Sequence, residues 1–213
     1  MKKIYFILVA AAMFIAMDAK AQLGVGVGYN LLNSKATAAG ESDSDELNGF
    51  YVEATYDINF LNENWGKLGI QPGLRYTFGA ETETEEVLGV KARASLTEHY
   101  LDVPVLVKYG YDAIPSKLNV HAFAGPVFSV GLASDIKLSA DGESEKSSNY
   151  KDSVYGRFDL KFGLGAGVTI VEKFNVKLGY NFGLLNRYTG EQIDDYKVKM
   201  HTGVFYIGVG YNF

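Results

Sequence analysis

The sequence has no cysteine, four prolines, three histidines and one tryptophan among 213 residues. Without cysteine there is no disulfide framework, no thiolate metal site, no thiol nucleophile and no acceptor for a lipid anchor. A basic excess is missing too: 20 Lys and Arg against 25 Asp and Glu give a formal charge of -5. That excludes the basic stripe that nucleic acid requires, so no nucleic-acid partner is expected. Long apolar runs are absent except near the N-terminus.

That one run, Ile4 to Met17, follows Lys2 and Lys3 and precedes Ala19, Lys20 and Ala21. It is shorter than the roughly 20 apolar residues of a membrane-spanning helix. A charged start, an apolar middle and a small-x-small ending predict a secretory signal peptide over residues 1–21, cut before Gln22, with one mature domain over residues 22–213. The protein is therefore expected to be exported.

What the sequence has in abundance is alternation. In "FDLKFGLGAGVTI", Phe158, Leu160, Phe162, Leu164, Ala166, Val168 and Ile170 share one parity, against Asp159, Lys161, Gly163, Gly165, Gly167 and Thr169. A period of two marks a strand, because successive side chains point to opposite faces. Eight such segments follow one another from Gln22 to Phe213, although "LNVHAFAGPVFSVGL" has no clear parity. The connections 59–66, 110–116 and 171–173 are short; 33–47, 80–97, 133–156 and 186–199 are long and rich in acid. An even strand count with short turns at one end and long loops at the other predicts an all-β, eight-stranded antiparallel transmembrane up-and-down β-barrel, with short periplasmic turns and long extracellular loops.

Alternation alone does not say which face looks out. Glycine decides it, since the bare rows Gly24, Gly26, Gly28 and Gly163, Gly165, Gly167 offer a soluble barrel nothing to solvate its exterior. Turned inward they make room in a narrow bore, and the Leu, Val, Ile, Phe and Tyr rows then meet lipid. Aromatic residues gather near both strand ends, as membrane-interface girdles do.

The inward parity carries Glu53, Asp57, Asp102 and Asp159 with Arg75, Lys108, Arg157, Lys161 and Lys177. A selective pore favours one sign of charge, so this balanced set predicts an interior ion-pair plug built on Glu53, Arg75, Asp102, Asp159, Lys161 and Lys177. If the third and fourth strands form a hairpin turning at Leu88 and Gly89, Arg75 falls opposite Asp102 as the centre of that plug. The same register sets Glu86 opposite Lys91 and Thr84 opposite Arg93. Pro72, Pro104 and Pro126 fall inside adjacent strands and predict gaps in the ladder, because proline lacks the donor.

Other motifs point to no chemistry. "GLGAG" and "GVGVG" lie within strands, whereas a dinucleotide fingerprint bridges strand and helix. "SDSDE", residues 42–46, lacks the spaced ligands and glycine of a calcium loop. His99, His121 and His201 fall on different strands and do not converge on a metal or a nucleophile. No cofactor, metal or catalytic residue is expected.

At "WGKLGIQPGLRYTFG", "YLDVPVLVKYG" and "AFAGPVFSVGL" the chain resembles the PorT-like family of outer-membrane β-barrel proteins from Bacteroidota. The terminal "GVGYNF" resembles the signal read by the barrel-assembly machinery, with Tyr211 and Phe213 as its aromatic residues. In size and strand count the chain is also similar to the OmpX and OmpA barrels. The resemblance implies outer-membrane lipid and the assembly machinery as partners. For function it implies a non-enzymatic structural or surface-interaction role, with an accessory role in type IX protein secretion as the alternative. A narrow channel and a lipid-modifying barrel enzyme are the remaining readings.

Overall fold

In the computed structural model the described residues are 22–38, 41–87, 90–140, 143–150, 155–190 and 198–213. They form nine strands: β1 (Gln22–Ala38), β2 (Glu41–Glu63), β3 (Gly66–Val87), β4 (Val90–Ile114), β5 (Leu118–Ala140), β6 (Glu143–Ser148), β7 (Phe158–Ile170), β8 (Phe174–Gly183) and β9 (Lys199–Asn212). All pairings are antiparallel. β9 pairs with both β8 and β1, and β4 with β5, so eight strands close into a ring while β6 joins only β5. No edge remains around the ring, which is what a sheet needs where no water can satisfy its backbone.

Three tight turns lie at one end. In the last of them Val171 and Glu172 both take left-handed φ, 51° and 61°, and Lys173 N donates to Ile170 O at 3.1 Å. At the other end the segments expected as loops are largely strand. β1 and β2 run on in register to Ala38 and Glu41, and "SDSDE" lies within β2. β3 and β4 run on to Val87 and Val90, pairing Arg75 with Asp102, Thr84 with Arg93 and Glu86 with Lys91. Because the β2–β3 ladder stops at Asn48 and Ala80, the ring divides above that point into a β9–β1–β2 wall and a β3–β4–β5–β6 sheet.

The faces are inverted relative to a soluble domain. Val27, Leu74, Val107, Phe128, Leu164 and Ile207 are exposed on the outside, whereas Glu53, Arg75, Asp102, Asp159 and Lys161 are buried within. Leucine and valine at such density on an exterior face suit hydrocarbon rather than water. Trp65 stacks on Tyr109 near the turns, and Phe50 meets Phe78 toward the long hairpins, so the apolar belt is rimmed by rings.

β5, whose parity is not evident from its sequence, points His121, Phe123, Val127 and Ser129 inward. Phe123 and Val127 join Tyr51, Leu106 and Tyr206 in an apolar cluster inside the ring. Both faces of β5 are thus apolar, which erases the alternation. The ladder skips beside each in-strand proline: from Thr55–Gly73 to Ile58–Ile70 near Pro72, from Pro72–Val105 to Arg75–Asp102 near Pro104, and from Pro104–Val127 to Val107–Ala124 near Pro126.

Candidate functional site

Polar chemistry concentrates inside the ring and around its wide end. Glu53 on β2 and Arg75 on β3 are direct cross-strand partners, both facing in. Arg75 donates from Nε and Nη2 to Glu53 Oε2 at 3.0 and 2.8 Å, and Lys177 Nζ reaches Glu53 Oε1. The Arg75 guanidinium is also held between the rings of Tyr51 and Tyr206, 4.6 and 4.1 Å from their centroids. Such contacts strengthen when water is excluded. Glycine makes the space: a Cβ on Gly28 of β1 would meet Tyr51 Cε1 at 2.5 Å, and one on Gly165 of β7 would strike the Phe123 ring.

Two further clusters flank this clamp. Toward the tight turns, Asp57 accepts from Lys108 Nζ at 2.8 Å and Gln71 Nε2 at 2.7 Å. Toward the wide end, Asp102 accepts from Thr77 at 2.8 Å and Ser129 at 2.5 Å, with Lys161 Nζ at 3.6 Å; Asp159 accepts from Thr202 at 2.7 Å.

Two expectations need correction. Arg75 and Asp102 are register partners, yet Arg75 forms its ion pair with Glu53, at 2.8 Å, while the rings of Tyr51 and Tyr206 hold its guanidinium. Asp102 is satisfied instead by two hydroxyls and Lys161. Arg157 is not inward: it precedes β7, is exposed, and donates to the Gly131 and Leu132 carbonyls while lying over the Tyr150 ring.

At the wide end Arg187 closes the interior. Only 1% exposed, it donates to Tyr100 Oη at 2.6 Å, Tyr150 Oη at 2.9 Å and the Gly156 carbonyl at 3.2 Å. Tyr100 in turn donates to Glu98, which also accepts from Ser134 at 3.2 Å. Burial pushes the Tyr150 hydroxyl above its ordinary value, which keeps it a neutral phenol. Tyr51, Tyr206 and Tyr100 sit at inward parity and could have been found there; Arg187 lies outside any strand, and periodicity says nothing of it.

The histidines occupy separate places. His99 Nδ1 is 2.6 Å from the Tyr76 hydroxyl on the outer wall, His121 lies inside beside Phe123, and His201 pairs in register with Lys35. Among the described residues no group of three or more His, Asp or Glu could hold a metal ion. Ala19 and Ala21 lie outside the described residues, and Gln22 is the first residue of β1. Tyr211 packs edge-on to Phe174 and Phe213, with ring centroids 5.6 and 5.3 Å apart, where β9 closes against β8.

A family profile described as "Outer membrane protein beta-barrel domain" matches residues 15–188. The chain belongs to this family. It is an outer-membrane β-barrel protein, and its exterior apolar belt faces lipid. The chain is also similar to solved structures of outer-membrane proteins. Ail of Yersinia pestis, in complex with the heparin analogue sucrose octasulfate, is 16% identical over 92% of this chain and 100% of that one, with a TM-score of 0.46. OprG of Pseudomonas aeruginosa is 12% identical over 91% and 96%, at 0.42. The outer membrane enzyme PagL is 8% identical over 85% and 97%, at 0.45. A search of curated proteins finds no significant match.

Proposed function

We propose that this barrel is a non-enzymatic, plugged scaffold of the outer membrane that carries strand hairpins above the bilayer for interaction. The observation that supports this reading is the clamp of Arg75 between Tyr51 and Tyr206, tied to Glu53 and backed by Leu106, Phe123 and Val127. An eight-stranded barrel is just wide enough for side chains to fill it, and here a bulky layer spans that width. Planar-bilayer recording tests the plug. Reconstituted protein should show no steady conductance, and a sustained open level would overturn the reading in favour of a narrow channel.

The absence of catalysis belongs to the proposal too. It draws support from the separation of the three histidines: His99 meets the Tyr76 hydroxyl on the outer wall, His121 lies inside beside Phe123, and His201 on β9 pairs in register with Lys35. Outer-membrane lipid mass spectra that change on expression of the chain would remove it. We further propose the PorT-like assignment, export by the signal peptide, recognition of the Tyr211 and Phe213 end by the assembly machinery, and an accessory secretion role. Co-purification with secretion proteins from intact outer membrane is the measurement for the last.

A further inference from the structure

Above the membrane, the inward face of the β3–β4–β5–β6 sheet has an ordered composition. One cross-strand row reads Glu81, Leu96, Ile136, Ser147; the next reads Glu83, Ala94, Leu138, Glu145. Acid therefore stands on β3 and β6, and hydrocarbon on β4 and β5 between them. Leu138 is 54% exposed although it lies beyond the lipid belt, so this hydrocarbon faces water. Two recesses of about 460 and 630 Å3 follow the stripe, and Asp45 on the opposing β2 edge borders the first while Arg93 borders the second.

Arg93 is the basic side chain that borders the recesses, and Glu81 accepts a hydrogen bond from Asn48 Nδ2 at 3.3 Å. Among the described residues no lysine or arginine forms an ion pair with Asp45, Glu81, Glu83 or Glu145. Inside the barrel, by contrast, Glu53, Asp57 and Asp102 each have a cation.

Dimensions select the shape of an occupant. From β3 to β6 is three strand spacings, about 14 Å, which suits an α-helix of about 10–12 Å diameter. A lone extended strand would leave one acidic rim untouched. From Ala92 to Leu96 the stripe runs about 14 Å along the sheet, or roughly nine helical residues.

We propose that this groove binds a cationic amphipathic helix, its apolar stripe on Leu96, Ile136 and Leu138 and its Lys or Arg flanks on the two acidic rims. The inference rests on the surface-display reading above and names the partner chemistry for it.

The test uses the full mature chain in zwitterionic lipid nanodiscs and a fluorescent peptide of about 14 residues, long enough for measurable helicity, with a Leu stripe flanked by lysines. Fluorescence anisotropy should show saturable binding to loaded discs and none to empty ones. Glu81→Lys with Glu83→Lys, or Glu145→Lys on the other rim, should weaken binding at least about tenfold, equivalent to about 1.4 kcal/mol; Leu138→Asp should do the same. Glu83, Leu138 and Glu145 are exposed and Glu81 is half-buried, and unchanged electrophoretic mobility without heating confirms that each variant is folded.

Equal binding to empty discs, equal affinity for a shuffled peptide of the same composition, or equal affinity for a proline-broken one overturns the groove. So does a preference for a glutamate-flanked peptide. Labelling of Ser144→Cys by an impermeant maleimide on intact cells separates the two levels: labelling without peptide binding sinks only this inference, whereas labelling confined to lysed cells sinks the surface reading as well.

Discussion

The bore and the outer groove use the same residue types under opposite solvation. In the bore, Glu53 is 4% exposed by its side chain and engages two cations, Arg75 and Lys177. In the groove, Glu83 and Glu145 are exposed and neither forms an ion pair among the described residues. A carboxylate taken out of water needs a partner, because an unpaired buried charge costs several kcal/mol; one left in water does not. Charge in the bore is thus committed to holding the barrel, and charge in the groove remains available.

Substitutions can break that contrast, beginning with the largest expected effect. Glu53→Ala leaves Arg75 and Lys177 buried without their carboxylate, and should cost about 3–5 kcal/mol, read as a lower urea midpoint in lipid or detergent. Arginine in place of Leu164, near the middle of β7 on the lipid face, should cost about 2–4 kcal/mol; the same change at Leu138 in the groove should leave the midpoint almost unmoved. If the two positions respond alike, the assignment of membrane and aqueous regions is wrong. Gly165→Val drives methyl groups toward Phe123, and should cost about 1–3 kcal/mol through overpacking.

The smallest effect lies at the mouth near the tight turns. Asp112, beyond the lipid belt, accepts from Asn119 at 2.8 Å and pairs with Lys67 at 2.9 Å, and these contacts, Asn119 first, hold its carboxyl below the usual value. A depressed pKa means that the stabilisation is present above the ordinary carboxylate range, about pH 4, and is lost as pH falls through the folded value. Asp112→Asn should therefore cost under about 1 kcal/mol near neutral pH, since the pair is a third exposed and screened. The difference from the native chain should shrink in acid, and a difference that grows there would reject the pairing.

Much of the fold is legible in particular residues. The rows Leu23, Val25, Val27 and Phe174, Val176, Leu178 announce lipid-facing strands, since parity is a local property that does not depend on neighbours. The β3–β4 register is legible as well, because choosing Leu88 and Gly89 as the turn fixes every pair below it, Arg75–Asp102 included. β5 is opaque for a stated cause: Phe123 and Val127 make its inward face as greasy as its outward one. The hairpin extensions are hidden by their acid content, which in "ETETEE" resembles a solvated loop while β3 continues through it.

By itself, the order of residues determined the eight strands of the ring, which way all but β5 face and that charge would be enclosed, because period and polarity act within one strand. Only ring closure decided how that charge is matched. Arg75 turns to Glu53 because Tyr206 on β9 and Tyr51 on β2 meet across the glycines of β1, and Arg187 seals the wide end by reaching Tyr100, 87 residues away. Such contacts join strands distant in sequence, and the low-dielectric interior selects among the partners that closure brings within reach.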